Sequence, residues 1–555
     1  MAVMRGRFAV VEALRAEGVR YVFGNPGTTE SPLMDALDRA PDLKYILAAQ
    51  EGVAMGMADG YARASGEVPF VNLHIDTGLS NGLSLLFNAY AGGTPLVLSS
   101  VNASLSKMAD YRTDLAGLTA QFTKWGAEVT HADQIPSVMR RAFAEARTPP
   151  TGPTFVGFAP ESLDSEAEIS IAPRSDTFVR AGPDPRAVET AAAALADAQR
   201  PLMVVGDRVS QFDAVDAAVA VAERLGARVY GAGYAEMTFP TGHPQWIGQL
   251  PPYARLYPEQ LRAADVVLAV GCKVFHDFFD LPTNVLAPDA TLIHMDCNAS
   301  EINRSQPTDL GILCDPRAGL EALAEALDAA FDPARREAAR ERAGSIGAET
   351  AARRAATLAS LRECRTSRPM PPLRMMHELA QAAPADTVIV DDSISARPIL
   401  HEAFEFSRPG SMHSERAGGA IGWGMGAALG VKLAEPDRPV LGVIGDGSAM
   451  LSAQALWTAS AYEIPAVYAI CNNGGYRVLK VNLHAYFEEV LGEPDRPTSY
   501  LGMDLPQEFD LGAIAKAMGV ASERIEDPER IGPAFQRALD SGKPALLDVI
   551  IDGAL

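Results

Sequence analysis

The chain has 555 residues, 48% hydrophobic and 21% charged, with 47 glycines and 39 prolines; this is too long for one core and too apolar for a disordered or fibrous protein. A formal net charge of -22 with no dense Lys/Arg run excludes nucleic acid as a partner. Cys272, Cys297, Cys314, Cys364 and Cys471 are scattered without a CxxC pair, and no apolar stretch reaches membrane-spanning length, so the expectation is a cytoplasmic protein with reduced thiols and no membrane contact.

The segment from Arg7 to Gly18 has helical periodicity broken by charges, unlike a secretory leader. Short apolar runs at Tyr21-Val-Phe, Lys44-Tyr-Ile-Leu, Phe70-Val-Asn-Leu and Thr94-Pro-Leu-Val-Leu-Ser then alternate with helical patterns, which predicts a parallel α/β layer. Prolines around Ala172 and Gly182 punctuate the chain before a second block, with strands expected at Pro201-Leu-Met-Val-Val, Ala227-Arg-Val-Tyr, Asp265-Val-Val-Leu-Ala-Val and Thr291-Leu-Ile-His-Met-Asp. An Ala/Arg-rich helical stretch from Pro333 to Arg365 leads to a third block, with strands at Thr387-Val-Ile-Val-Asp, Val440-Leu-Gly-Val-Ile-Gly, Ala466-Val-Tyr-Ala-Ile-Cys and Ala545-Leu-Leu-Asp-Val-Ile-Ile. The expected fold is therefore α/β, three doubly wound parallel-sheet domains spanning 1–180, 185–335 and 366–555. No short-period repeat is visible, and kinship between the first and third blocks is not legible. The middle block lacks a G-x-G-x-x-G turn, which argues against a plain nucleotide-binding protein.

Gly445-Asp446-Gly447-Ser448 closes one apolar strand, placing a carboxylate and exposed backbone N–H groups where open α/β sheets hold ligands. Alone it is a common turn. Asn472-Asn473-Gly474-Gly475 closes the next strand, 27 positions after Asp446 counted to Asn473, and oxygen donors from two strand ends suit Mg²⁺. This spacing resembles the diphosphate motif of thiamine-diphosphate enzymes. The resemblance implies Mg²⁺ held by Asp446, Asn473 and the Gly475 carbonyl, and Ser448 on the diphosphate at the start of a helix from Ala449 to Ala461. Gly445, Gly447 and Tyr476 complete the cofactor cradle, and Ser393, Ile394 and Ser395 form the opposing wall.

Such cofactors need a carboxyl group to activate the aminopyrimidine. Glu51 is the lone acid before Asp59 in a small-residue helix opening at Gln50-Glu51-Gly-Val-Ala-Met-Gly, with helix capping as its plain alternative. Phe23-Gly-Asn-Pro-Gly-Thr-Thr-Glu, Gln50-Glu51, Asn72-Leu-His-Ile-Asp-Thr-Gly-Leu-Ser-Asn-Gly and Phe239-Pro-Thr-Gly-His-Pro together resemble the benzoylformate decarboxylases. That resemblance implies that Thr28 binds the substrate carboxylate, His74 transfers protons, Ile421 is the bulky wedge that bends the cofactor, and the Gly419 carbonyl accepts from its amine. It also implies pyrimidine-binding, central and diphosphate-binding domains, with Glu51 and the Gly-Asp-Gly site contributed by different subunits of a homodimer within a homotetramer.

Two departures follow. The family's second catalytic His falls on Phe278, with His276 out of register, and the aryl-facing positions are Ile394, Val478 and Asn482. The segment from Phe487 to Met503 is longer than expected and suits either a lid or an inert surface excursion. The expected activity is a thiamine-diphosphate- and Mg²⁺-dependent 2-oxo acid decarboxylase, with carboligation to an aldehyde acceptor left open. The rivals are an acetolactate-synthase-like carboligase, although Val204 to Asp315 carries no flavin signature, and a catalytically silent cofactor-binding homologue.

Overall fold

A computed structural model describes residues 2–554 apart from Tyr111, Phe178, Tyr234, Phe278, Asp280 and Thr283; Phe278 thus lies outside the described residues. Three six-stranded sheets, each wholly parallel, succeed one another along the chain. Their strands read as short Val/Ile/Leu-rich runs because both faces are covered by helices. The first sheet is built from Tyr21–Asn25, Lys44–Leu47, Phe70–Leu73, Val97–Val101, Trp125–Val129 and Thr154–Phe158, and the third from Val388–Asp392, Met412–Ser414, Val440–Gly445, Val467–Asn472, Ala521–Ile525 and Ala545–Ile550.

Numbering each sheet's strands in chain order, the first and third sheets share one order, 2-1-3-4-6-5, so the kinship that sequence does not reveal is present in the winding. The middle sheet, from Pro201–Val205 to Leu310–Leu313, runs 3-2-1-4-5-6, the order of dinucleotide-binding folds. It lacks their glycine-rich turn: its first strand opens into Gly206-Asp207-Arg208.

A two-stranded antiparallel ribbon, absent from the sequence reading, pairs Ala2–Arg5 with Glu166–Ile169. The Ala/Arg-rich stretch is one helix, Pro333–Glu363, whose surface is mostly exposed. Among the described residues no helix is long and apolar enough to cross a membrane.

One helix contact joins the outer layers. Glu51–Ser65 is capped by the Gln50 side chain, which accepts from the Val53 N–H, and ends at Gly66 in the left-handed region (φ 71°). Its small residues let it lie against Trp423–Ala434 at backbone distance. A methyl group on Gly56 would stand 3.0 Å from the Trp423 carbonyl, one on Gly60 2.8 Å from the Ala427 Cα, and one on Gly426 2.8 Å from the Val53 carbonyl. Asp59, Arg63 and Trp423 lock the seam: Arg63 donates to both Asp59 oxygens at 2.7 and 2.8 Å, and the Trp423 indole donates to Asp59 at 2.7 Å.

Candidate active site

The carboxyl end of the first sheet gathers two acids. Glu51 is buried at the N-terminus of its helix and accepts from Asn25 Nδ2 at 3.2 Å and Asn81 Nδ2 at 3.1 Å. Because Gln50 performs the capping, the Glu51 carboxylate is not spent on its own helix. Beside it, fully buried Glu30 accepts from His74 Nδ1 at 2.7 Å, the Gly27 N–H at 3.0 Å and the Val101 N–H at 3.0 Å, which fixes the imidazole with Nε2 as the other polar edge. His74 sits at the end of Phe70–Leu73, and Ile75 after it is held at φ 39°, a strained value for a β-branched residue. Gly27 makes room for the ring: a methyl there would lie 2.5 Å from His74 Cδ2.

Thr28 is exposed at the rim, and Thr29 takes the inner place. The Thr29 hydroxyl donates to the Val101 carbonyl at 2.7 Å and lies 3.3 Å from His74 Nδ1. Asn25, Thr29, Glu30 and Asn81 were missed by sequence reasoning. All four stand inside its quoted motifs, and the available signal was the density of hydrogen-bonding residues at strand ends.

The carboxyl end of the third sheet forms the second group. Asp446 is buried and accepts from the Gly447 and Gly474 N–H groups, both at 2.9 Å. Burial pushes its carboxyl upward while the backbone N–H groups of Gly447, Gly474, Asn473 and Gly475 pull it down. Asn473 Oδ1 accepts from the Gly475 N–H at 3.1 Å. No group of three His, Cys, Asp or Glu side chains among the described residues forms a conventional metal cluster. A buried carboxylate beside an amide oxygen and turn carbonyls is instead a hard, all-oxygen donor set, which fits Mg²⁺ and a diphosphate. Tyr476 packs over Gly447, where a methyl would lie 2.5 Å from the ring.

Asp392, at the end of the neighbouring strand, ties this group together. It accepts from the Gly422 and Gly424 N–H groups at 3.0 Å and from the Ser448 hydroxyl at 3.2 Å. Burial and the nearby Glu415 and Asp391 carboxylates push its carboxyl up to about 8. Two expectations change here. The helix expected over Ala449 to Ala461 is two, Asp446–Leu451 and Ala455–Ala461, broken where Ser452 turns its hydroxyl onto the Gly422 carbonyl at 2.6 Å. The Ser393 hydroxyl turns inward to Asp391 at 2.5 Å rather than into a cofactor cleft.

A cavity of about 1050 Å³ opens where the three layers meet, walled by Ile394, Gly419, Ile421 and Val478 of the third, Gly271, Lys273 and His276 of the middle, and Phe87 and Tyr90 of the first. Ile394 is held at φ 48°, strain of the kind stored at functional sites. Burial lowers the His276 imidazole from its ordinary range. Ser395 lines a second cavity of about 600 Å³ that shares Ile394 and Val478 with the first. Asn482, in the first cavity's wall, receives a hydrogen bond from Tyr253. Glu51, His74 and Thr28 do not line this cavity. The segment after Tyr486 folds back onto the helix Arg477–Tyr486: His484 bonds the Tyr500 hydroxyl at 2.7 Å, Lys480 pairs with Asp504, and the Tyr476 N–H donates to the Met503 carbonyl at 2.8 Å.

Three parallel sheets in this order, with polar groups at the strand ends of the outer two, match the fold of the thiamine-diphosphate enzymes. The chain matches the family models for the N-terminal TPP binding domain (residues 4–121), the central domain (188–323) and the C-terminal TPP binding domain (395–549) of the thiamine pyrophosphate enzymes. It is 32% identical to the benzoylformate decarboxylase of Pseudomonas aeruginosa over 553 residues, 98% of each protein, and 27% identical to a probable acetolactate synthase large subunit of Methanocaldococcus jannaschii, over 99% of this chain and 92% of that one. Among solved structures it is similar to the thiamine-diphosphate-dependent 4-hydroxybenzoylformate decarboxylase of Rhodococcus jostii RHA1, with a TM-score of 0.84, 28% identity and 99% of both chains covered. The chain belongs to the thiamine pyrophosphate enzyme family.

Proposed function

We propose that this protein is a thiamine-diphosphate- and Mg²⁺-dependent enzyme that breaks the C–C bond next to the carbonyl of a 2-oxo acid. The observation that carries the reading is Glu51, a buried carboxylate met by the two amide donors of Asn25 and Asn81 and unspent on helix capping. The bound cofactor supplies a nucleophilic carbon and, after cleavage, an electron sink. Glu51 holds and returns the proton that activates it, and Asp446, Asn473 and the Gly475 carbonyl hold Mg²⁺. Gly445, Gly447, Ser448 and Tyr476 cradle the diphosphate. The Gly419 carbonyl and the Ile421 side chain would set the cofactor's bend, with Ile394 on the facing wall. His74, oriented by Glu30, moves protons at the substrate oxygen, and Thr28 takes the carboxylate at the rim. The spans 1–180, 185–335 and 366–555 act as pyrimidine-binding, central and diphosphate-binding domains.

Glu51 and His74 are not among the residues lining the cavity of Ile394, Gly419 and Ile421, which supports a site completed by a second subunit in a homodimer that pairs into a tetramer. Carboligation to an aldehyde acceptor is the second reading. It is favoured by Phe278 at the position of the family's second catalytic His, which slows release of the product by protonation.

The test incubates the holoprotein with a panel of 2-oxo acids, with and without aldehydes, and identifies products by mass spectrometry. Glu51→Gln should lose about 10²-fold or more in turnover; equal turnover in variant and wild type would refute the assignment, and no CO₂ or ligation product from any donor would favour a silent homologue. Asp446→Ala should abolish Mg²⁺-dependent thiamine diphosphate binding by calorimetry, and unchanged affinity would remove the metal site.

A further inference from the structure

The segment from Arg416 to Gly422, which carries Gly419 and Ile421, does not hold its own shape. Three of its residues lie in the left-handed region, Arg416 at φ 53°, Gly419 at 70° and Gly422 at 88°. Its middle peptide is gripped from another layer of the molecule. Asn88, fully buried on the helix Ile75–Ala91 of the first layer, donates from Nδ2 to the Ala420 carbonyl at 2.8 Å and accepts at Oδ1 from the Ala420 N–H at 2.9 Å. Both polar atoms of one side chain thus pair both polar atoms of one backbone residue, so the buried amide leaves neither its oxygen nor its nitrogen without a partner. The fit is close on the other side too: a methyl on Gly418 would stand 2.5 Å from the Asn88 Cα.

Ala420 lies between Gly419 and Ile421, so the orientation of its peptide fixes where the Gly419 carbonyl and the Ile421 side chain point. Asn88 also shares its helix with Asn81, seven residues earlier and therefore on the same face, and Asn81 donates to Glu51 at 3.1 Å. The Arg416 end is anchored independently, its guanidinium donating to Glu236 at 2.7 Å and to the Gly92 carbonyl at 2.8 Å. Between that anchor and Asp392 at Gly422, Asn88 is the side chain that pairs Ala420.

We propose that Asn88 is a positioning residue for the cofactor: through the Ala420 peptide it sets the Gly419 carbonyl and the Ile421 side chain, on a helix that also steadies Glu51. This rests on the thiamine-diphosphate reading and on the roles given there to Gly419 and Ile421.

The test compares Asn88→Ala with Asn102→Ala, an equally buried asparagine of the same layer that bonds the Thr113 carbonyl and Glu128. In the cofactor-free full-length protein, amide hydrogen exchange of residues 416–424, read by mass spectrometry, should quicken about tenfold in Asn88→Ala and stay unchanged in Asn102→Ala. With thiamine diphosphate and Mg²⁺ bound at saturation, exchange of the cofactor's C2 hydrogen should slow about tenfold in Asn88→Ala alone. Gly418→Ala, which presses on the same side chain from the opposite face, should reproduce both effects if Asn88→Ala fails to fold. Unchanged amide exchange overturns the proposal, and so does faster amide exchange with wild-type C2 exchange, the signature of a structural role. Ile421→Ala separates the two levels. If it slows C2 exchange and Asn88→Ala does not, only the role of Asn88 falls; if Ile421→Ala leaves C2 exchange at the wild-type rate, the wedge reading of Ile421 fails and this inference with it.

Discussion

Replacing Gly430 with alanine should destabilise the protein, against the usual effect of that change in a helix. In an open helix Gly→Ala is favourable by about 1 kcal/mol, because glycine loses more backbone entropy on folding. At Gly430 the added methyl would lie 2.7 Å from the Tyr61 nitrogen and would overlap the Met57 carbonyl, both main-chain atoms of the facing helix that no rotamer change can move. The helices must then part, at an overpacking cost of about 1–3 kcal/mol. The cost should sit at the upper end because the obstruction is backbone, leaving a net loss of about 1–2 kcal/mol. Gly344, on the exposed helix Pro333–Glu363 with nothing within 4 Å of its virtual methyl, is the internal control and should gain about 0.5–1 kcal/mol on the same substitution. Denaturant midpoints of the two single variants, scored on the same transition, should therefore move in opposite directions from wild type. A midpoint that rises in Gly430→Ala as it does in Gly344→Ala would refute backbone contact between the two helices.

Three further outcomes follow from the site. Asp392 has a folded-state carboxyl near 8 against about 4 in an unfolded chain, so the folded protein binds the extra proton between those values and stability contributed by this group is full near pH 4 and lost as pH rises to about 8; Asp392→Asn should flatten that slope in melting temperatures measured from pH 5 to 8, and an unaltered slope would place the titration elsewhere. Gly27→Ala should push the His74 ring off Glu30 and reduce turnover by about 10²-fold while calorimetry records unchanged thiamine diphosphate affinity, so a loss of both would mean that the substitution disrupts the sheet. Tyr500→Phe removes the His484 partner and should speed limited proteolysis within 487–503, read by mass spectrometry, whereas an unchanged cleavage rate would show that Lys480 and the Met503 carbonyl suffice to hold the segment.

Several core strands were legible in the sequence because a parallel strand covered on both faces leaves an uninterrupted apolar run, as at Val440–Gly445 and Val467–Asn472. Thr154–Phe158 and the three-residue Met412–Ser414, though buried, were not read, and neither were Trp125–Val129, Glu166–Ile169 and Ala521–Ile525, whose charges and half-buried positions read as loop or helix. Asp446 and Asn473 could be paired in advance because each directly ends a strand and the two strands are neighbours. That Thr29 and not Thr28 turns inward depends on which way a short helical turn faces, and adjacent residues of one type carry no such information. Asn88 was invisible for a different reason: its partner is the backbone of a residue 332 positions away, and a backbone amide leaves no mark on sequence.

The shared winding of the outer sheets has a consequence at their seam. Glu51–Ser65 follows the second strand of the first sheet, and Trp423–Ala434 follows the second strand of the third, so the two helices that touch are counterparts. Inside a single chain they meet much as the matching surfaces of two identical subunits would, with Gly56 and Gly60 on one side answered by Gly426 and Gly430 on the other. Such a join cannot drift on one side alone: volume gained at 60 must be surrendered near 427, and any residual shift travels to Glu51 at the head of one helix and to Ile421 just before the other. A substitution at any of these four glycines therefore bears on Glu51 and Ile421 at once, through the packing of the two helices alone.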